Sequence, residues 1–193
     1  MNLDLNTIWF ILVGVLFTGY AILDGFDLGI GALHLFTKKD EERRILLNSI
    51  GPVWDGNEVW LVTGGGALFA AFPDVYATAF SGFYLALMLL LAALIFRAVA
   101  IEFRSKQPMR WWRQMWDIGF AGGSILSALL IGVALGNIAW GVPIDANGEF
   151  AGTFLGLLTP YPLLVGVTTV ALFMMHGAIY GVMKTEGELH DKL

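Results

Sequence analysis

Two short motifs place paired acids inside otherwise apolar sequence: Asp24-Gly-Phe-Asp27 and Asp55-Gly-Asn-Glu58, the second set between Trp54 and Trp60 in WDGNEVW. In both, the acids stand three residues apart, which puts the two carboxyl groups of a pair on one face of a helix. Carboxyl groups in apolar surroundings must face a helical interior or water, and their usual work there is a proton or ion path. Asp117 and His176 are the further titratable groups set within apolar runs. The expected path comprises Asp24, Asp27, Asp55, Glu58 and Asp117, with Asn57, Trp60 and His176 as accessory residues.

A plainer reading stands beside this one. Acids near a membrane surface also pair with bases such as Arg43, Arg44 or Arg97, or cap a helix end. Asp117, early in its apolar run, suits capping. His176 suits a hydrogen-bonded core histidine, His34 a structural role near the surface, and Trp54 and Trp60 packing.

Other chemistries find little support. The chain has no cysteine, so it has neither disulfides nor thiolate ligands. Its three histidines do not occur at metal-ligand spacing, and only His176 lies well inside an apolar run, whereas a haem between helices needs paired axial ligands. Gly64–Gly66 precede no Lys-Ser or Lys-Thr, which excludes a phosphate loop. No metal site and no catalytic residue is expected in this chain.

The elements that must position the acids follow from composition. The 193 residues are 57% hydrophobic and 14% charged, with a mean hydropathy of +0.71, whereas soluble domains are about 25% charged. This predicts an all-α integral membrane protein, a single transmembrane helical domain over residues 1–193. The opening MNLDLNTIW lacks the basic start of a signal peptide, so the first apolar run reads as a retained helix. Runs of roughly 20 apolar residues place spans at about 7–36, 75–101, 115–140 and 161–183. The segment 46–72, with its acids and three glycines, is ambiguous by hydropathy.

Charge resolves it. If 46–72 crosses, the connections 37–45 and 97–114 and the C-terminal segment hold all eleven Lys and Arg residues on one side, while 141–158 holds Asp145 and Glu149 and no base. The positive-inside rule makes the basic side cytoplasmic. Five transmembrane helices are therefore expected, a four-helix bundle plus one further helix, with the N-terminus outside and the C-terminus cytoplasmic. Trp111 and Trp112 suit an interfacial belt. Gly25/Gly29, Gly119/Gly123, Gly132/Gly136 and Gly177/Gly181 are spaced for close helix contact. In this topology every acid of the expected path lies in the cytoplasmic half, forming a one-sided acidic funnel.

Several stretches carry a resemblance: GYAILDGFDLGIG from Gly19, ERRILLNSIGPVWDGNEVWL from Glu42, GGGALFAAFP, FSGFYLALML, FRSK, MWD and GELH. On these the chain resembles subunit II of the cytochrome bd-type quinol oxidases, from the first span to the last residues. The resemblance implies a haem-free subunit that supports a partner, subunit I. That partner carries haems b558, b595 and d, oxidises quinol and reduces oxygen to water. It further implies a cytoplasmic proton path, to which Asp24 and Asp55 correspond, and in some members a structural quinone or an oxygen route. The expected setting is the plasma (inner) membrane of a bacterium or archaeon. Small single-span accessory subunits are possible further partners.

Members of that family are roughly twice as long, with a second helix bundle after the first. A split subunit is one account of the difference, with the missing second half as a further partner. The competing reading from another class is a proton-coupled transporter or channel using the same acids, for which no inverted repeat is visible.

Overall fold

A segment facing lipid has no water to bond its amides and carbonyls, so long apolar runs close their hydrogen bonds internally as helices. The computed structural model describes residues 4–193. Among these residues the regular structure is helical, apart from one antiparallel bridge between Ile144 and Phe150. In chain order the α-helices are α1 (Leu5–Leu33), α2 (Asp40–Ile50), α3 (Trp54–Ala71), α4 (Pro73–Gly82), α5 (Tyr84–Phe103), α6 (Arg110–Trp140) and α7 (Pro160–Lys184). Asp4 caps α1, its carboxylate accepting the Thr7 N–H at 2.8 Å.

Among the described residues, four segments are long and apolar enough to cross a membrane: Leu5–Phe36, Tyr84–Lys106, Arg110–Trp140 and Pro160–Lys184. The chain is a multi-pass membrane protein. Many large apolar side chains face outward, among them Phe10, Val62, Leu135 and Met183, as expected of a surface solvated by lipid.

Two expected spans differ from the observed helices. The segment 46–72 is not one helix: α2 ends at Ile50, and α3 begins at Trp54. Pro52 has no N–H to extend α2, and its ring clashes with the preceding turn. At 11 residues α2 is too short to cross. At 18 residues α3 is about 27 Å long, but Asp55, Asn57 and Glu58 in its opening turns keep it outside the four spans above. The run 75–101 is likewise divided at Phe83, into α4 and α5. The N-terminal part, α4, stays with the 141–159 loop, where the Thr78 hydroxyl donates to the Gly148 carbonyl at 2.7 Å.

Helices α1 and α6 are central. The first packs against α3, α6 and α7, and the second against α1, α5 and α7. Small residues set the closest approaches. A Cβ on Gly29 would collide with the Phe173 carbonyl, and Gly177 lies against the Gly29 backbone, so α1 and α7 cross nearly backbone to backbone. Gly132 and Gly136 do the same for α6 against α7: a Cβ on each would lie 2.7 Å from Cα of Gly166 and Pro162, respectively.

At one end of the helices Ile30, Leu46, Leu47, Ile50, Ala100, Phe120 and Leu189 form an apolar core beneath α2. The C-terminal segment returns to this end. Lys192 reaches Glu42 at 2.7 Å and Glu188 at 3.4 Å, and Lys39 reaches Glu188 at 2.5 Å. These ammonium groups hold the Glu42 and Glu188 carboxyls below the usual carboxylate range.

Candidate functional site

Asp24 and Asp27 lie on the inward face of α1, one turn beyond Tyr20, in the register that stacks residues three and four apart. All three are buried. Their counter-charge comes from α5. Arg97 donates from Nη2 to Asp24 Oδ1 at 2.8 Å and from Nη1 to Glu58 Oε1, on α3, at 3.0 Å. Its Nη2 also lies 4.0 Å from Asp27 Oδ2. That same Asp27 oxygen accepts from the Asn57 amide at 2.8 Å, and the amide also donates to the Leu23 carbonyl at 3.2 Å. Three helices are thus tied by one guanidinium.

The charges do not balance. Three carboxyl groups, Asp24, Asp27 and Glu58, face the single cation Arg97, and Arg97, Asp24 and Asp27 are fully buried, each at 0% exposure. Asp24 Oδ2, Asp27 Oδ1, Arg97 Nε and the Tyr20 hydroxyl are buried without a hydrogen-bond partner among the described residues. Burying an uncompensated ion costs several kcal/mol. A cluster with more carboxyls than cations is relieved by taking up protons or water. Chemically it can store and pass a proton.

A second ionic cluster lies at the basic end. Asp117 accepts from Arg104 Nε at 2.5 Å and Arg43 Nη1 at 2.8 Å, and lies 2.6 Å from His34 Nε2. Asp40 joins through Arg104 Nη2 at 2.7 Å and Arg113 Nη1 at 2.8 Å. Here cations outnumber carboxylates, and each carboxylate is fully engaged.

The expected residues are therefore distributed over distinct places. Asp24, Asp27, Asn57 and Glu58 come together. Asp55 does not: its side chain is exposed and pairs with nothing among the described residues. Asp117 belongs to the second cluster, and the capping role is excluded because α6 begins at Arg110, two turns earlier, with Met109 at its N-cap position. His34 is fully buried at the basic end, bound to Asp117. His176 is half-buried, its Nε2 2.9 Å from the Ile22 carbonyl. Trp60 packs its ring over Gly19, joining α3 to α1. Sequence reasoning assigned Arg97 to a connection, but it lies inside α5. It is the one base within that apolar run, and that isolation was the available signal. Tyr20, four residues before Asp24, and the pairing of Arg104 with Asp40 had no comparable signal.

The profile of the family "Cytochrome bd terminal oxidase subunit II" matches residues 5–193. The chain is 52% identical over 191 residues to cytochrome bd-I ubiquinol oxidase subunit 2 of Escherichia coli, covering 96% of this chain and 50% of that protein. It is 48% identical over 193 residues to a probable cytochrome oxidase subunit 2 of Haemophilus influenzae, covering 97% and 51%. With cytochrome bd ubiquinol oxidase subunit 2 of Bacillus subtilis it shares 43% over 190 residues, covering 98% and 56%. The chain spans about half the length of the curated relatives it matches.

Proposed function

The chain belongs to the family of cytochrome bd terminal oxidase subunit II, and on that premise we propose that it works as the haem-free subunit of a respiratory quinol oxidase in a bacterial inner membrane. Its relatives are named as subunits of ubiquinol oxidases; in this reading the chain is one part of such an oxygen-reducing oxidoreductase, with haems b558, b595 and d held by subunit I. We assign it two tasks, support of that partner and supply of cytoplasmic protons for the reduction of oxygen to water. The basic end, which gathers the 34–53 and 104–113 segments and the C-terminus, is the cytoplasmic one under the positive-inside rule. Helix α3 is then a fifth crossing, held against α1 by Trp60 and by the Arg97 cluster.

The observation that carries the proton-supply reading is the excess of carboxyl groups around Arg97. A structural ion pair needs one acid per base, whereas Arg97, itself fully buried, faces Asp24, Asp27 and Glu58. Glu58 is the partly open member, its side chain 22% exposed, so it is the member that meets water. Asp55 lies one turn away on α3, exposed, and suits collection of protons on the outer face of the helix. Asp117, held by two arginines and His34, serves as an anchor for the basic end rather than a relay.

The test uses the assembled oxidase. Glu58→Gln keeps an acceptor for Arg97 but removes the titrating group, and Asp55→Asn does the same outside the cluster. Each should slow quinol-driven oxygen consumption with unchanged haem spectra, and the loss should deepen from about pH 6 to about pH 9 as protons become scarce. Parent rates across that range in both variants would refute the proton path.

A further inference from the structure

At the basic end, beside the start of α6, lies an open cavity of about 440 Å³ that the proton reading does not use. Four cations, Lys38, Arg43, Arg110 and Arg113, line it with two carboxylates, Asp40 and Asp117. The carboxylates are already satisfied by Arg104, Arg113, Arg43 and His34. Lys38 and Arg110 make no ion pair among the described residues. The cavity therefore presents a net positive wall that includes two uncommitted cations. A chain that merely obeyed the positive-inside rule would project its bases separately into water. These instead converge on one hollow. The first turn of α6 has no acidic residue and no side-chain cap, so its free amides add positive potential at the same place.

We propose that this basin binds a phosphate group, and that its source is the headgroup of an anionic phospholipid. Two neighbours favour the lipid over a free phosphate. Met109 and Trp111, beside Arg110, are 42% and 58% exposed, and they give acyl chains an apolar surface at the level of an interfacial aromatic belt. Guanidinium groups bind phosphate oxygens in pairs, and Arg110 and Arg113 follow one another on the same face of α6. Basic pockets between membrane helices on the cytoplasmic side commonly hold such headgroups.

The full chain in its purified assembly is titrated in neutral detergent with phosphatidylglycerol, phosphatidylcholine or inorganic phosphate, with binding read by native mass spectrometry for the lipids and calorimetry for phosphate. Phosphatidylglycerol should bind more tightly than phosphatidylcholine. Lys38→Gln with Arg110→Gln should weaken phosphatidylglycerol roughly 25-fold, about five-fold per cation. Both side chains are exposed and unpaired, so the unfolding temperature should hold, and each single variant gives a second reading. Arg44→Gln, an exposed base outside the cavity, should change binding less than about two-fold. Inorganic phosphate that binds, displaces the lipid and is lost in the double variant would support the same site with free phosphate as its source. Equal binding of the two lipids, or an Arg44→Gln effect as large as that of the double variant, would overturn the proposal.

Discussion

Replacing Arg97 by Met removes one cation and leaves three carboxyl groups facing one another across α1 and α3. The side chain is of similar length and apolar, so the change is one of charge more than of packing. The magnitude follows from burial. Asp24 is fully enclosed and loses its 2.8 Å partner, whereas Glu58 loses a 3.0 Å partner but keeps some access to water. Breaking a buried pair from one side costs about 3–5 kcal/mol, most of it here from Asp24. For a chain of this size that corresponds to a fall of roughly 6–20 °C in melting temperature, measurable by tryptophan fluorescence in detergent. Neutralising the carboxyls left without a partner should reverse the effect. Arg97→Met combined with Asp24→Asn and Glu58→Gln should recover most of the loss, because it removes ions rather than contacts. A single variant that melts with the parent, or a triple variant no better than the single, would show that the carboxyls are not held by Arg97.

Further outcomes follow from the same geometry. Gly29→Ala should cost about 1–3 kcal/mol through overpacking, since its new methyl meets the Phe173 carbonyl, while Gly25→Ala meets only the Phe173 ring at 3.0 Å and should cost less; equal unfolding temperatures would contradict the backbone-to-backbone crossing. With no native cysteine in the chain, single cysteines at Asp74 and Asp145 should label from outside the cell and one at Lys106 should not; external labelling at Lys106 would invert the proposed topology. The C-terminal segment should detach in acid. Glu42 and Glu188 have carboxyls held low by Lys192 and Lys39, so their contribution is complete above the free glutamate value of about 4.3 and is lost as pH falls through the lower folded value. The protection of amides across residues 185–193, taken relative to the intrinsic exchange rate at each pH, should therefore fall in that acid window and stay flat from about pH 5 to 8.

How much of this was legible in the sequence depended on the range of the interaction. Hydropathy sums over a window, and the four long spans were visible that way. The same averaging hid the breaks at Pro52 and Phe83, which are set by one missing amide and one turn. The glycine spacing identified close contacts, and Gly29, Gly132 and Gly136 make them, but Gly119 has no neighbour nearer than 3.9 Å. Spacing of three put Asp55 and Glu58 on one side of α3, yet three residues still differ by about 60° around a helix. On a helix packed along one edge only, that angle is enough to turn Glu58 inward and Asp55 out. The plainer reading, that the acids pair with bases such as Arg43 or Arg97, is met by the Asp24, Glu58 and Asp117 ion pairs, but which base takes which acid was not readable, because that choice is set by how α1, α3 and α5 pack.

The separation of that pairing along the chain has a consequence for biosynthesis. Asp24 and Asp27 emerge from the ribosome 73 residues before Arg97 in the case of the Asp24 contact. At about 5–20 residues per second, the delay is roughly 4–15 s. For that time α1 is an apolar helix carrying two acids with no counter-charge, a poor candidate for release into lipid. The basic-end cluster has the opposite history: by the time Asp117 is made, His34, Arg43 and Arg104 already exist. The first helix thus carries its two acids without their counter-charge until α5 is made.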